Sequence, residues 1–289
     1  MRIPIRTVAR ALMVRVGRVL ADPGDRPMRV VILCGGKGTR IRDISGEMPK
    51  PMIRIGQYPI LKHIMDIYGR HGYYDFVLCL GYKGWDIKEY FLNYRVEIHD
   101  IQIDLASEEQ VTYPRETSTP PWNVVLAETG LESQTGYRIK QIESYVAGET
   151  FMLTYGDGIG NVDVTALVEY HRSHGKLATI TSVRPPSRFG ELTVEAGKVT
   201  EFEEKPQTRD GFINGGFFVC EPEVFEYLPD DPACSFEQEP LRQLAKDGQL
   251  MTYEHPGFWM PMDSSREYHL LNELWRGGDA PWITNGGVS

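Results

Sequence analysis

Two short motifs near the start of the apolar core carry residue types suited to binding phosphate. The glycine loop Gly35-Gly36-Lys37-Gly38-Thr39-Arg40 directly follows an apolar run, and Lys50 stands between two prolines shortly after it. Glycines let the backbone approach a phosphate and point its N–H groups inward, and an arginine clamps phosphate oxygens through several donors. Flanking prolines stiffen the chain, so less entropy is lost when the lysine charge is fixed. For the glycine loop alone, a simple tight turn remains the alternative.

Two aspartates farther along the chain are candidate metal ligands. Asp157 lies between two glycines directly after the apolar run at residues 151–155, and Asp263 lies in the segment Trp259-Met260-Pro261-Met262-Asp263-Ser264. Carboxylate oxygens are the ligands that Mg²⁺ prefers in proteins. An isolated aspartate can equally cap a turn, and this interpretation stays open for each of them.

Three further polar motifs could contact a nucleotide or a sugar. The segment Ser133-Gln134-Thr135-Gly136-Tyr137-Arg138 could bind a nucleotide. In Glu203-Glu204-Lys205-Pro206, the lysine could hold a sugar phosphate and a glutamate could accept sugar hydroxyls, although a solvated charge run has the same composition. The glycines of Ile213-Asn214-Gly215-Gly216-Phe217-Phe218 interrupt a strand pattern, which marks a bulge or a close ligand approach.

The elements that must position these residues alternate between strand and helix. Continuous apolar strands are predicted at residues 30–34, 76–80, 124–126, 151–155 and 178–183, with helices at 59–72, 85–94 and 164–174. Strands that are apolar throughout are buried on both faces, as in a parallel sheet. The alternation predicts an α/β fold with a mostly parallel sheet flanked by helices and a ligand site beyond the carboxyl ends of its strands. Short strands at 191–194, 198–203 and 212–220 predict a smaller β-rich region, with helices at 223–228 and 240–246.

Composition excludes some classes of function. The 289 residues are 41% hydrophobic and 25% charged, as in an ordinary globular protein, and the net charge is −9. An acidic chain of this kind argues against nucleic acid as a partner. The four cysteines show no metal-binding spacing, which favours a reduced, cytoplasmic protein, and no apolar run is long enough to predict a membrane span.

The first 28 residues form a separate basic extension before the predicted catalytic domain at residues 29–289. No acidic residue occurs before Asp22, and arginines recur among apolar residues. An amphipathic targeting or surface helix, a disordered extension, and an upstream start codon before a true start at Met28 are three open interpretations.

Taken together and in this order, the motifs resemble the bacterial glucose-1-phosphate cytidylyltransferases, within the broader sugar nucleotidyltransferase family. The glycine loop and the later Lys-Pro are shared by the broad family. More specific to the cytidylyl branch are the residues from Ile60 to Tyr94, Tyr155-Gly156-Asp157-Gly158, Arg188-Phe189-Gly190, the Asn214 motif and His255-Pro256-Gly257-Phe258-Trp259. The sequence departs from the family pattern at Cys34, Met48, Tyr137, Met260 and Ser264.

The resemblance implies a Rossmann-like sheet with a smaller β-rich sugar-binding region, and Mg²⁺ held between Asp157 and Asp263. It implies a homo-oligomer with a nucleoside triphosphate (NTP) and a sugar 1-phosphate as its small-molecule partners. The implied nucleotide site comprises Leu33, Gly35, Gly36, Lys37, Gly38, Thr39, Arg40, Lys50, Ser133, Arg138 and Asp157. The implied sugar site comprises Gly190, Glu204, Lys205 and Asn214, and the implied catalytic residues are Arg40, Lys50, Asp157 and Lys205.

The predicted reaction is nucleotidyl transfer from an NTP, CTP being favoured, to glucose 1-phosphate or another sugar 1-phosphate, with release of pyrophosphate. Three alternatives remain. The same chemistry could use GTP or UTP and a different sugar phosphate. The chain could be a non-catalytic paralogue that binds nucleotide sugars. A dinucleotide-dependent oxidoreductase shares an early glycine loop, although the sequence has no GxGxxG motif.

Overall fold

The computed structural model describes residues 28–36, 38, 41–46, 48–106, 111–115, 119–146, 148–184, 191–195, 198–203 and 211–283. The extension before Met28 therefore lies outside the described residues, and its division from the catalytic domain stays a prediction. No helix in the described ranges is long and apolar enough to cross a membrane.

The described elements follow one another in mixed α/β order. The strands are β1 (Val30–Leu33), β2 (Arg54–Ile55), β3 (Tyr58–Pro59), β4 (Asp75–Leu80), β5 (Gln102–Ile103), β6 (Val111–Thr112), β7 (Asn123–Glu128), β8 (Phe151–Tyr155), β9 (Gly158–Gly160), β10 (Ala178–Val183), β11 (Glu191–Glu195), β12 (Lys198–Glu203), β13 (Ile213–Asn214), β14 (Phe218–Cys220), β15 (Leu250–His255) and β16 (Trp259–Pro261). The α-helices are α1 (Arg42–Ser45), α2 (Ile60–Arg70), α3 (Gly84–Leu92), α4 (Tyr94–Ile98), α5 (Thr135–Gln141), α6 (Glu143–Val146), α7 (Val164–His174), α8 (Glu239–Lys246) and α9 (Ser265–Gly277). Short 3₁₀ helices cover Lys50–Met52 and Pro222–Tyr227.

The main sheet has eight strands and is largely parallel, which confirms the predicted fold class. Its order is β13-β10-β14-β8-β1-β4-β7, and β15 pairs with β10. Strand β1 runs parallel to both β4 and β8, and β15 runs parallel to β10. Strands β13 and β14 both lie antiparallel on β10, and β14 is also antiparallel to β8. The described residues also form four two-stranded sheets.

The buried β1 strand shows why the apolar runs form the centre of the sheet. Val30 and Ile32 belong to one hydrophobic cluster, whereas Val31 and Leu33 belong to another on the opposite face. Because side chains of a strand alternate between faces, only a strand covered on both sides can be apolar throughout. The first cluster includes residues of α2, α7 and α9, and the second includes residues of α5, α6 and α8.

Several element boundaries differ from the predicted ones for local reasons. The helix predicted at 85–94 is divided at Asn93 into α3 and α4. The strand predicted at 212–220 is divided into β13 and β14, because Gly216 and Phe217 both have positive φ angles, of 74° and 47°. The helix predicted at 223–228 is a 3₁₀ helix that begins at Pro222.

Candidate active site

Gly35, Gly36 and Asp157 follow neighbouring strands at the carboxyl end of the sheet. Leu33 pairs with Tyr155 in the parallel ladder of β1 and β8, so both chains leave the sheet at the same level. The Gly156 N–H donates to the Leu33 carbonyl at 3.0 Å, which holds the start of the Asp157 turn against the end of β1. This placement at the carboxyl ends of parallel strands agrees with the general location of ligand sites in such sheets.

Asp263 reaches Asp157 through a small antiparallel ladder rather than through the main sheet. Strand β9 follows Asp157 directly and pairs with β16, with Pro261 opposite Gly158. The Met262 N–H then donates to the Asp157 carbonyl at 2.8 Å. This ladder brings together two carboxylates that are separated by more than a hundred residues in the sequence.

The backbone at Asp263 is fixed by the start of helix α9. The Asp263 N–H donates to Glu267 Oε2 at 2.7 Å. Ser264 is the N-cap of α9, and its side chain and that of Glu267 form a reciprocal capping box. Such a box satisfies free N–H groups at the first turn and holds the chain at Asp263, the residue before the N-cap, in place.

The Lys50 ammonium lies between the two carboxylates. Its Nζ is 2.7 Å from Asp157 Oδ2 and also donates to Asp263 Oδ1. Its side chain is 13% exposed, against 33% for Asp157 and 39% for Asp263. Burial alone would lower the pKa of Lys50, but the charge of Asp157 and the hydrogen bonds to both carboxylates outweigh it and raise the pKa above its ordinary value. Lys50 is therefore a cation at neutral pH.

Two glycines of the loop are needed for close approach. Gly38 has a φ of +57°, and a Cβ there would lie 3.2 Å from Lys50 Cβ. A Cβ at Gly35 would overlap the guanidinium of Arg138. The small residues thus let one side chain from each flank of the cleft pack against the loop.

Arg138 is an internal anchor of the cleft wall. It is only 3% exposed. Its Nη1 donates to the carbonyls of Leu80 and Gly130 at 2.9 and 2.7 Å and to the Thr129 hydroxyl at 2.9 Å. Its Nη2 donates to the Gly35 carbonyl at 3.2 Å. These bonds tie together the ends of β1, β4 and β7, and the predicted contact of Arg138 with a nucleotide stays a prediction.

A cleft of about 180 Å³ connects these features. Its lining combines strand ends with the start of helix α5, and comprises Leu33, Cys34, Gly35, Gly36, Lys50, Pro51, Ser133, Gln134, Thr135, Arg138, Tyr155, Gly156 and Asp157. Five further residues predicted for the nucleotide site, Leu33, Gly35, Gly36, Ser133 and Arg138, thus share one cleft with Lys50 and Asp157. Lys37, Thr39, Arg40, Gly190, Glu204 and Lys205 lie outside the described residues, so their roles remain predictions.

Asn214 is connected to the cleft by a hydrogen-bonded network. Its Nδ2 donates to the Tyr155 hydroxyl at 2.9 Å, and its Oδ1 accepts from the Gly216 N–H at 2.8 Å. The Tyr155 hydroxyl donates to Glu237 Oε1 at 2.9 Å, and the Thr135 hydroxyl donates to Glu237 Oε2 at 2.5 Å. Burial and the nearby Glu237 charge both raise the pKa of Tyr155, so the phenol keeps its proton.

Glu237 is a connecting residue that sequence reasoning missed. It lies in a mixed stretch, Ser235-Phe236-Glu237-Gln238-Glu239, with no glycine or proline signal at the position itself. Only the hydrogen bonds that it accepts from the hydroxyls of Tyr155 and Thr135 identify its position between the candidate nucleotide and sugar sides. No local pattern in the sequence predicts that contact.

The departures from the family pattern occupy unlike environments. Cys34 and Met260 are buried, at 0% and 6% exposure, whereas Met48 is 44% exposed. Burial is the main cause that raises the pKa of the Cys34 thiol, with smaller contributions from Cys79 and Asp157, so Cys34 is a neutral part of the cleft wall. Ser264 supplies the capping hydroxyl of α9, a role that serine and threonine share.

Comparisons with known proteins test the family that the motifs predict. A family model described as nucleotidyl transferase matches residues 29–269. The glucose-1-phosphate cytidylyltransferase of Salmonella typhi is 47% identical over 258 residues, which are 89% of this chain and 99% of the relative. The probable glucose-1-phosphate cytidylyltransferase of Bacillus subtilis (strain 168) is 46% identical over 256 residues, covering 88% and 99%.

The fold also matches solved structures. A putative glucose-1-phosphate thymidylyltransferase from Bacillus anthracis has a TM-score of 0.63 at 19% identity, covering 86% of this chain and 95% of that one. At this identity the likeness concerns the fold alone. The family model and the two relatives confirm the family that the motifs predicted. The chain therefore belongs to the nucleotidyl transferase family.

Proposed function

We propose that this chain transfers a cytidylyl group from CTP to glucose 1-phosphate and releases pyrophosphate. The central observation is that Lys50 contacts both Asp157 and Asp263, and that Lys50 and Asp157 line the cleft together with Gly35 and Gly36. The relatives at 46–47% identity, which the chain covers almost completely, support the choice of CTP and glucose 1-phosphate.

The proposed reaction is an in-line displacement at the α-phosphorus of CTP. A phosphate oxygen of the sugar phosphate forms the new bond, and the bond from the α-phosphorus to the bridging oxygen of pyrophosphate breaks. A phosphate monoester has its second pKa near ~6, so the attacking oxygen is already ionised at pH 7 and no general base is needed. The task left to the protein is to hold two anions together and to neutralise developing charge.

Lys50 and the glycine loop are the groups proposed for that task on the nucleotide side. The Lys50 ammonium lies at the cleft wall, and the Gly35–Gly36 backbone lines the same cleft. Arg40 would add a second positive charge to the triphosphate, on the strength of the family resemblance. Lys205, Glu204 and Gly190 are proposed on the sugar side on the same ground, and Asn214 is proposed there because its network reaches the cleft.

Magnesium is the proposed metal, and the residues present fit it. Asp157 Oδ2 and Asp263 Oδ1 both approach one point, which is now held by the Lys50 ammonium. Mg²⁺ is usually held in proteins by one or two carboxylates, with substrate phosphates supplying further oxygen ligands. When bound, the ion would neutralise phosphate charge and orient the two substrates.

Pyrophosphate release tests the proposal. The full chain is assayed with Mg²⁺, glucose 1-phosphate and each of CTP, UTP, GTP, ATP and dTTP in turn, and we expect turnover with CTP. Asp157→Asn should lower kcat at least about a hundredfold, because it weakens the metal site. Asp66→Asn is the matched control, since Asp66 is paired with Lys62 at 2.7 Å outside the cleft.

Other results would lead to the alternatives. Turnover with a different nucleotide would keep the chemistry and change the base. Absence of turnover with a wide set of NTPs and sugar 1-phosphates would favour a non-catalytic nucleotide-sugar-binding protein. Turnover of Asp157→Asn at the wild-type rate would contradict the proposed site.

A homo-oligomer in the cytoplasm completes the proposal. Several large apolar side chains of the segment from α3 to β6 are exposed, namely Trp85, Leu92, Val96, Ile103, Leu105 and Val111. Exposed apolar surface supports an interface with another subunit, which light scattering after size-exclusion chromatography would measure. The four cysteines are buried free thiols, as is usual in a reducing compartment.

A further inference from the structure

The two carboxylates proposed for the metal share an internal cation. Lys50 Nζ donates to Asp157 Oδ2 at 2.7 Å and to Asp263 Oδ1. Each of these oxygens uses a lone pair on the ammonium that an incoming metal ion would also require. Charge-assisted hydrogen bonds of this kind are about twice as strong as neutral ones.

The position of the ammonium follows from rigid surroundings on the lysine side. Lys50 begins a short 3₁₀ helix between Pro49 and Pro51, and its carbonyl accepts from the Ile53 N–H at 3.1 Å. Gly38 packs against its Cβ from the opposite side. The backbone is therefore fixed, and only the flexible side chain can carry the charge to another position.

The backbone at each aspartate is also held in place. The Asp157 carbonyl accepts from the Met262 N–H at 2.8 Å, and the Asp263 N–H donates to Glu267 at 2.7 Å. These bonds belong to the β9–β16 ladder and to the first turn of α9. The two aspartates thus present their carboxylates to the same space whichever cation lies between them.

We propose that Lys50 is the resident counterion of the metal site and competes with the metal until a nucleotide triphosphate draws the ammonium away. This inference rests on the proposed function, because it assumes that the metal binds at Asp157 and Asp263. A lysine cation and a divalent cation repel each other at contact distance, so both cannot occupy the space between the two carboxylates. The triphosphate provides a second anion within reach of the side chain, since Lys50 also lines the cleft.

The arrangement has a consequence for the order of binding. The nucleotide-free protein binds the metal weakly, since the ion must first displace two charge-assisted hydrogen bonds. Metal and nucleotide then bind with positive coupling, and by linkage each raises the affinity for the other. The ammonium also keeps the two carboxylates from repelling each other when neither ligand is bound.

Binding of Mn²⁺ to the nucleotide-free full chain tests the inference directly. Free Mn²⁺ is counted by electron paramagnetic resonance in about 0.15 M salt, which screens distant surface charges. Lys50→Met should bind Mn²⁺ about tenfold tighter than the wild type or more, because the competing ammonium is gone. Lys50→Gln serves as a second variant, and circular dichroism establishes that each is folded.

A matched lysine provides the control. Lys62 has the same 13% side-chain exposure as Lys50 and pairs with Asp66 at 2.7 Å, but it lies outside the cleft. Lys62→Met should leave Mn²⁺ affinity at the wild-type value. Melting temperature gives an independent reading: Mn²⁺ should raise the Tm of Lys50→Met more than that of the wild type, because stabilisation by a ligand increases with the ratio of its free concentration to its Kd.

Two results would overturn the inference. The first is Mn²⁺ affinity of both folded Lys50 variants equal to or weaker than that of the wild type. The second is unchanged tightening in the double variant Lys50→Met, Asp157→Asn, which would show that the ion binds elsewhere. Pyrophosphate release by the wild type with CTP and Mg²⁺ is measured in parallel. If the Lys50 variants bind Mn²⁺ no tighter than the wild type while the wild type turns over, only the competition is refuted. If the wild type shows no turnover, the proposed function is refuted.

Discussion

Replacement of Arg138 by methionine should destabilise the fold even in the absence of any ligand. The guanidinium donates to the carbonyls of Leu80, Gly130 and Gly35, and it is only 3% exposed. Methionine fills much of the same volume but provides no donors. The Gly130 carbonyl then loses this donor, whereas the Leu80 carbonyl keeps the N–H and hydroxyl of Thr129, and the Gly35 carbonyl keeps the Tyr82 N–H.

The magnitude follows from the hydrogen bonds that are lost. A hydrogen bond to a charged group contributes about 1.5–3 kcal/mol, and a carbonyl that keeps another donor loses less than one left without any. Water can reach part of the Gly130 side of the network, and burial already disfavours the Arg138 charge, which lowers the pKa of its guanidinium. We therefore expect a loss of about 2–4 kcal/mol in the free energy of unfolding. For a chain of this size, such a loss lowers Tm by about 4–12 °C.

Thermal and urea denaturation of the nucleotide-free protein measure this loss. Arg138→Lys keeps the charge but lacks the forked donors, so it should recover only part of the stability. Arg54→Met is the control, because Arg54 is exposed and its side chain donates to the Gln57 carbonyl at the surface. A Tm for Arg138→Met within 2 °C of the Arg54→Met value, on the order of one kcal/mol or less, would refute the anchoring role and leave a direct nucleotide contact as the reason for this arginine.

Two other perturbations test the sugar side and the pH dependence. Tyr155→Phe removes the hydroxyl that orients Asn214, and should raise KM for glucose 1-phosphate about threefold to tenfold while KM for CTP stays constant. Tyr227→Phe, at the surface, is the control. An equal rise in both KM values of the Tyr155 variant would contradict the assignment. Burial lowers the pKa of His171 below its ordinary 6.5, with Glu221 acting in the opposite direction. The contribution of His171 to the free energy of unfolding is complete above pH 6.5. It falls by at most about 1.4 kcal/mol per pH unit below pH 6.5, because the unfolded chain takes up the proton first. His171→Gln should flatten the unfolding free energy between pH 7 and 5, the exposed His269→Gln should not, and an unchanged slope in the first variant would refute the account.

The glycine-rich motif and the strands that lead into the candidate site could be predicted because their signals are local. Continuous apolar runs at Val30–Leu33 and Phe151–Tyr155 require burial on both faces, and the polar residues that follow them must then leave the sheet at its edge. The family was recognisable for the same reason, since the motifs predicted to bind phosphate and metal each occupy a few consecutive residues. The roles assigned to Ser133, Lys50 and Asp157 agree with their common cleft, although each role itself remains a proposal.

Local sequence also explains which elements were missed or mistaken. The strand predicted at 212–220 is interrupted at the glycines that suggested a bulge. Only the structure shows that Phe217 also has a positive φ. Strands β9 and β16 have three residues each and lack a periodic pattern, so the ladder that brings Asp263 to Asp157 had no signal in the sequence. The 3₁₀ helix at Pro222–Tyr227 differs from an α-helix only in its hydrogen-bond spacing, which composition does not encode.

The sequence by itself determined the family, the α/β class and the residue types available for phosphate and metal chemistry, because those depend on short stretches of chain. Only the tertiary structure decided which side chains share a contact. Arg138 proved to be bound to backbone carbonyls from three strand ends, and Glu237 to hydroxyls from two separate elements. Lys50 proved to lie between two aspartates that are themselves far apart in the chain. Such contacts depend on how distant segments pack, and no local pattern of residues carries that information.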